Sequence, residues 1–394
     1  MKKDFKIINK MRKKYLFIVY CLLFLSFPLQ ACGEKNERAG TSESFVDQQV
    51  RSFVRSVWMW GSVLSNEPIQ SVIDKLYACH INQVFLLVKG TSGTKTSEDK
   101  LKEFVRKAHK AKIEVHFWYI VNSDKLYIDA NPNACIYHCP KPPENSRSYP
   151  VNDERVNLLY PGYKEYVLEN IRYYLKNFEC DGVHLDYIRY SHFVYSFDTH
   201  SLKKAATAGC DTIRLLNLFN TEANYTKYAT NNGFLDLYKS KDENVVKWIE
   251  MRKNVLSDYM QSIKNIIAQL RPGILLSAAF MPEGVTDVDY SDVFYAQNYA
   301  SHSNFLGMIS PMSYFKSYEE PTNWLQKISQ EAQKKVNDSC KIYTAIQTFG
   351  GVTPQQVDEQ IQYYYKGGAD GMVIFRYGTT TEDSWDVIQE WDEK

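Results

Sequence analysis

The sequence predicts an α/β protein of the (β/α)8 TIM-barrel class, with long loops after strands 3 and 4. From Ser56 onward, short apolar runs bounded by turn residues alternate with segments of helical period, and the alternation repeats eight times. The eight units fill about 340 residues, a length that fits such a barrel once insertions are allowed. A doubly wound open sheet is the alternative, but no glycine-rich phosphate turn follows the first strand, and eight is the count that closure needs.

Residues 1–31 read as a lipoprotein signal peptide. Lys2, Lys3, Lys10, Arg12, Lys13 and Lys14 precede an apolar stretch from Leu16 to Phe27, which ends in Leu29-Gln30-Ala31-Cys32. Cys32 is the expected site of acylation, palmitate included, and a membrane span is the alternative. The apolar run is shorter than the roughly 18 to 20 residues a spanning helix needs. An acyl anchor would hold the protein on the bacterial cell envelope, at the outer membrane or cell surface, without burying its fold in lipid. Residues 32–52 are polar and aperiodic, the pattern of a flexible tether. The barrel is expected over 53–394.

Within it the strand-like runs are Val57 to Gly61, Gln83 to Lys89, Glu114 to Val121, Gly182 to Arg189, Ile274 to Met281, Met308 to Phe315, Ile342 to Phe349 and Gly371 to Tyr377. Helical runs begin near Pro68, Glu98, Gly162, Val245, Ser291, Thr322, Pro354 and Ser384. Cys180-Asp181-Gly182 opens the fourth strand and Ala369-Asp370-Gly371 the eighth, an echo expected of shared turn chemistry at the barrel base. The loops from Asn122 to about Tyr160 and from Ser191 to about Asn244 far exceed the usual two to six residues, and part of the second reads as helical. Both follow strands, so both belong on the C-terminal face, where barrel enzymes build their sites.

The fourth strand carries the strongest chemical signal. Residues two apart share a face, so His184 and Asp186 lie with Gly182 while Val183, Leu185 and Tyr187 lie opposite. An ionisable pair then stands where a parallel sheet normally holds Val or Ile. A buried carboxylate survives only where it is paired or used. The same reading turns Trp58, Trp60, Lys89, Trp118, Met312, Tyr314, Gln347 and Arg376 inward near strand ends, and Glu283 follows the fifth strand. Two carboxylates beside aromatics are the equipment for cleaving a glycosidic bond: one protonates the leaving oxygen, the other attacks or activates water. Asp186 is the expected nucleophile or base and Glu283 the general acid, with Arg189 or Arg376 favouring the ionised Asp186. Trp60, Lys89, Trp118, His184, Arg189, Tyr314, Gln347 and Arg376 are the expected substrate contacts. Asp287, Asp289, Glu319 and Asp124 are alternative second acids, and a buried ion pair is the structural alternative for Asp186.

Composition narrows the partners. Lys and Arg number 47 against 46 Asp and Glu, which leaves no nucleic-acid footprint. Aromatic residues make up 14% of the chain, a supply of flat surface for sugar rings as well as core. The expected partners are a glycan substrate and, through Cys32, a membrane; no cofactor is expected. Cys135 and Cys139 share one loop and are the expected local disulfide; a zinc site including His138 is the alternative, without a second ligand pair.

The run Asp181-Gly182-Val183-His184-Leu185-Asp186-Tyr187-Ile188-Arg189-Tyr190, preceded by Asn157-Leu158-Leu159-Tyr160-Pro161-Gly162-Tyr163, resembles the bacterial glycosyl-hydrolase-like family ten, the DUF187 barrels. Leu276-Ser277-Ala278-Ala279-Phe280 and Ile309-Ser310-Pro311-Met312-Ser313-Tyr314 are similar to that family's fifth and sixth strands. The resemblance spans residues 55 to 391. It implies a glycosidase-like barrel, often an exported lipoprotein, with Asp186 as the key acid. The fourth strand is also similar to the chitinase-type D-G-x-D-x-D-x-E signature, but Ile188 stands where that motif has its catalytic Glu. A glycan-binding barrel without turnover, and a lyase or deacetylase, are the competing functions.

Overall fold

A computed structural model of the chain describes residues 53–391. Eight parallel strands close into a barrel: β1 (Val54–Met59), β2 (Gln83–Lys89), β3 (Glu114–Ile120), β4 (Gly182–Asp186), β5 (Leu275–Phe280), β6 (Met308–Pro311), β7 (Lys341–Gln347) and β8 (Gly371–Phe375). Each strand pairs with its sequence neighbour, and β8 closes on β1. The principal helix of each unit packs outside: α1 (Ile69–Ala78), α2 (Glu98–Lys110), α3 (Tyr163–Asn177), α4 (Glu243–Leu270), α5 (Val288–Tyr295), α6 (Trp324–Lys335), α7 (Pro354–Lys366) and α8 (Glu382–Glu390). The expected TIM barrel is therefore the observed fold.

Local chemistry explains the elements. Helix α2 buries Leu101, Phe104, Val105 and Ala108, a stripe at helical spacing; Glu98 and Asp99 in its first turn and Lys107, His109 and Lys110 in its last complement the helix dipole. Helix α7 starts with a capping box between Thr353 and Gln356, followed by Pro354 at a position where no amide proton is needed. The echoed aspartates do matching work at the barrel base. Asp181 accepts from the Val115 amide at 2.7 Å, opening β3, and Asp370 accepts from the Ile342 amide at 3.0 Å, opening β7.

Strand parity separates two cores. Val57, Val84, Val115, Phe117, Val183, Leu185, Ile309, Ile342 and Ile374 face the helices. Trp58, Phe85, Trp118, Ile120, Ala279, Met308, Tyr343, Ala345 and Val373 fill the barrel. Full burial of each such aliphatic side chain contributes about 1.5–3 kcal/mol. Below them a polar layer closes the bottom: Ser56 donates to Gln83, whose amide donates to Glu114 at 2.9 Å and lies 3.0 Å from His116 Nε2. Gly182 is required beside it, because a Cβ there would lie 2.2 Å from His116 Nδ1.

The loop after β3 holds a short helix (Lys125–Ala130) and a two-stranded ribbon pairing Tyr137–His138 with Tyr149–Pro150. The insertion after β4 is largely helical, with turns at Thr199–Thr207, Thr212–Asn217, Glu222–Tyr225 and Gly233–Lys239. The Cys135–Cys139 disulfide expected from sequence does not form: all six described cysteines are free and buried. The chain between this pair runs through the extended Tyr137–His138 strand. Four extended steps carry it on the order of 13 Å, about twice what a disulfide spans. Among the described residues no helix is long and apolar enough to cross a membrane. Cys32 and the signal and tether segments lie outside the described residues.

Candidate active site

Strand β4 ends at Asp186 because the next residue, Tyr187, takes a left-handed backbone conformation with φ 52°. That turn leaves the carboxylate at the C-terminal rim, 7% exposed, and aims three donors at it. The Tyr187 amide and the Arg189 guanidinium donate to Oδ1 at 2.6 and 3.2 Å, and the Trp118 indole donates to Oδ2 at 3.2 Å. An acceptor-only carboxylate fits that donor set. Arg189 in turn lies over the Tyr187 ring at 4.3 Å.

Glu283 enters from the other side, as the first residue of the short helix Glu283–Thr286 that follows β5. It is 9% exposed, and the Tyr318 hydroxyl lies 3.2 and 3.1 Å from its two oxygens. Burial, with the charge of Glu283 next, drives the Tyr318 phenol well above its ordinary range, so Tyr318 stays a proton donor. Tyr295 senses both halves of the site: burial raises its pKa well above the usual value, Glu283 adds to the rise and Arg189 opposes it.

The two acid-bearing segments are stitched together by the chain that follows α5. The buried Gln297 amide donates to the Ile188 carbonyl at 3.2 Å and to the Ala279 carbonyl at 3.3 Å, while its oxygen accepts from the Met281 amide at 2.9 Å. Tyr190 donates its amide to the Tyr295 carbonyl at 3.0 Å, and the Tyr299 hydroxyl donates to the Met281 carbonyl at 3.2 Å. The ends of β4 and β5 are thereby fixed against each other.

Aromatic rings line the mouth. Phe375 contacts Trp58, Trp118 and Tyr314 with centroid separations of 5.6, 6.4 and 5.3 Å, and Tyr314 meets Phe349 at 5.4 Å. Trp118 and Tyr314, two of the expected substrate contacts, stand among these rings. Trp60 lies on the outer rim, 42% exposed, under the Arg376 guanidinium.

Three expected substrate contacts occupy other positions. Lys89 is fully buried, 3.0 Å from Asp124 Oδ2, and it donates to the Ile120 and Ser123 carbonyls at 3.0 and 2.8 Å. The register shifts between Leu87 and Lys89, which sets Lys89 opposite the outward-facing Tyr119; this bulge breaks the period of two on which the inward assignment rested. Asp124, an alternative second acid, is consumed in the same pair and also caps the Lys125–Ala130 helix. His184 sits deeper than the rim, wholly buried against Phe85 at 4.2 Å, with Nδ1 2.9 Å from the Ser277 hydroxyl. Burial holds its pKa well below the usual histidine value, so it is a neutral spacer. Gln347 spends its side chain on the loops after β6 and β7, accepting from the Lys316 amide at 3.0 Å and donating to the Phe349 carbonyl at 3.2 Å.

Parity also missed residues. Tyr187, expected on the helix side, packs against the barrel interior because its left-handed turn reverses the alternation. Phe375, rather than Arg376, points inward from β8, a parity readable from Val373. Tyr295, Gln297 and Tyr318 come from segments outside the strands, and no period marks them. Among the described residues no three or more His, Cys, Asp or Glu side chains group as metal ligands. His138 and Cys139 contact each other at 3.6 Å, and burial pushes the Cys139 thiol far up, leaving it protonated.

The fold is shared with known carbohydrate-active enzymes. The glycoside hydrolase domain of PgaB (BpsB) from Bordetella bronchiseptica superposes with a TM-score of 0.66 at 13% identity, over 86% of this chain and 100% of that one. Alpha-L-fucosidase isoenzyme 2 from Paenibacillus thiaminolyticus gives 0.59 at 13% identity, over 86% of this chain and 48% of that one. The catalytic domain of beta-amylase from Paenibacillus polymyxa gives 0.57 at 11% identity, over 86% and 98%. No curated protein sequence matches the chain. Residues 66–364 match the family model described as glycosyl hydrolase-like 10, and the chain belongs to that family of glycoside-hydrolase-type barrels.

Proposed function

We propose that the protein is an envelope-anchored glycoside hydrolase that cleaves O-glycosidic bonds of a polysaccharide or oligosaccharide with Asp186 and Glu283. The observation that carries this reading is the setting of Asp186: an acceptor-only carboxylate at the end of β4, oriented by Trp118, Tyr187 and Arg189 in an aromatic-lined mouth. Family membership supports the reaction class. In this reading Asp186 attacks the anomeric carbon or activates water, and Glu283 protonates the leaving oxygen, its proton delivered from a pocket shared with Tyr318. The half-buried Tyr187, Tyr314 and Phe375 offer ring surface to the sugar. Acylation of Cys32 tethers the catalytic barrel to the membrane, with residues 32–52 as the tether.

Reducing-end release from a glycan panel tests the chemistry. Asp186→Asn is expected to abolish release while retaining the wild-type melting midpoint; equal rates in both proteins would falsify the assignment. The Asp186–Arg189 ion pair favours one competing reading, a glycan-binding barrel without turnover. That reading predicts wild-type binding with no release from any glycan. For the anchor, radiolabelled palmitate should be incorporated by the wild type and lost in Cys32→Ser.

A further inference from the structure

We infer that Arg376 and Trp60 form a subsite for a carboxylate-bearing sugar, so that the substrate is an acidic glycan containing uronic acid residues. The inference rests on the glycosidase reading for the identity of its ligand as a glycan. Trp60 follows β1 and Arg376 follows β8, and these strands pair through Trp58 and Phe375, which makes the two side chains neighbours on the catalytic face. The Arg376 guanidinium carbon lies 3.5 Å from the Trp60 ring centroid.

Three cations around this face are matched by acids, while Lys316 is held by the Gly351 carbonyl and Lys95 by the Asn170 side chain. Lys89 pairs with Asp124, Arg189 with Asp186, and Arg155 with Asp153. Arg376 has no carboxylate within ion-pair distance among the described residues; its hydrogen bond runs from one terminal nitrogen to the Tyr377 carbonyl at 3.3 Å. Burial pulls its pKa down, and no acid opposes that pull. A guanidinium held over an indole face keeps N–H groups free at its edge, the fork that a planar carboxylate accepts in bidentate fashion. A neutral sugar offers that fork only single hydroxyl acceptors, which lack the charge and bidentate geometry of a carboxylate. The free surface of Trp60 supplies an apolar face for the same sugar ring.

Calorimetric titration of the full chain carrying Asp186→Asn, which removes turnover, tests the subsite. The probes are uronic acid oligosaccharides, the same oligosaccharides after carboxyl reduction, and sulfated neutral oligosaccharides. The expected result is binding about tenfold or more tighter to the uronic acid form than to its reduced partner. Adding Arg376→Gln should erase that preference and leave affinity for the reduced form within about twofold; Trp60→Ala should weaken both forms together. Equal affinity for the two forms, a preference that survives Arg376→Gln, tighter binding of the sulfated probe, or no binding across the panel would each overturn the inference. Hydrolysis of neutral glycans without charge preference sinks this subsite and leaves the glycosidase reading intact. Arg376-dependent uronate binding with no hydrolysis by the wild type sinks the glycosidase reading and leaves the subsite.

Discussion

The indole nitrogen of Trp118 donates to Oδ2 of Asp186 at 3.2 Å, across the pairing of β3 with β4. One side chain thus lines the aromatic mouth and orients the acid at its floor. Trp118→Phe keeps a ring in place and deletes the donor. A hydrogen bond to a charged group contributes about 1.5–3 kcal/mol, so kcat/KM on a cleaved glycan should fall roughly 10- to 150-fold. The melting midpoint should move little. Initial rates across substrate concentrations check this, and an unchanged kcat/KM would remove Trp118 from the site.

Tyr318 holds Glu283 through both carboxylate oxygens. A donor to a carboxylate favours its charged form, so its loss keeps the acid protonated to higher pH. Tyr318→Phe should therefore move the alkaline limb of the kcat profile upward in pH, with a modest loss of rate. Glu283→Gln should lower kcat by about 100-fold or more, the usual scale of general acid catalysis. A Glu283→Gln enzyme with wild-type kcat would send the search to Asp287, Asp289 or Glu319.

Lys89 and Asp124 form an ion pair with both side chains wholly shielded. Asp124→Ala leaves the ammonium buried without its partner, and denaturant unfolding should show a loss of about 3–5 kcal/mol. The pH dependence has a defined sign. Burial lowers the Lys89 pKa to about 8, against a favourable contribution from Asp124. Below about pH 8 the lysine is charged in both states. From there to about 10.4 the unfolded chain keeps a proton that the folded chain has released, so stability rises with pH. Measured against Lys89→Met, the wild type should gain on the order of 3 kcal/mol across that window.

His184 and His302 are wholly buried and neutral. Burial brings His302 down to about 4 and His184 well below the usual value. His302 fits the neutral tautomer: Nδ1 accepts from the Asn298 amide and Nε2 faces the Lys253 carbonyl. Below about pH 6.5 the unfolded chain binds these protons and the folded chain does not, so stability is lost as the pH is lowered. Between pH 6 and 5 the two residues should add a slope approaching ~2.7 kcal/mol per pH unit. Replacing His302 with Gln should flatten the slope by about 1.4 kcal/mol per pH unit, measured by urea unfolding at stepped pH.

Much of this architecture is legible in one dimension. The runs at Gln83 and Gly371 begin where β2 and β8 begin, and the helical runs at Glu98 and Pro354 begin where α2 and α7 begin. These features follow from the repeat of side chains along local backbone, which a sequence records directly. The same holds for Asp186: a carboxylate with inward parity at the end of a buried strand announces itself. Parity failed where the backbone left the strand geometry, at the bulge before Lys89 and at the left-handed Tyr187.

The sequence by itself determined the eightfold alternation, the closed barrel it builds, the face that carries the long loops, and the aspartate raised to that face. Only the tertiary structure decided which residues surround it. Gln297 joins the ends of β4 and β5, Tyr318 reaches Glu283 from beyond β6, and Lys89 is drawn into a pair with Asp124. Those contacts join segments far apart in the chain through hydrogen bonds and charge. Such pairings have no period, so they come into being only when the barrel closes and brings its loops together.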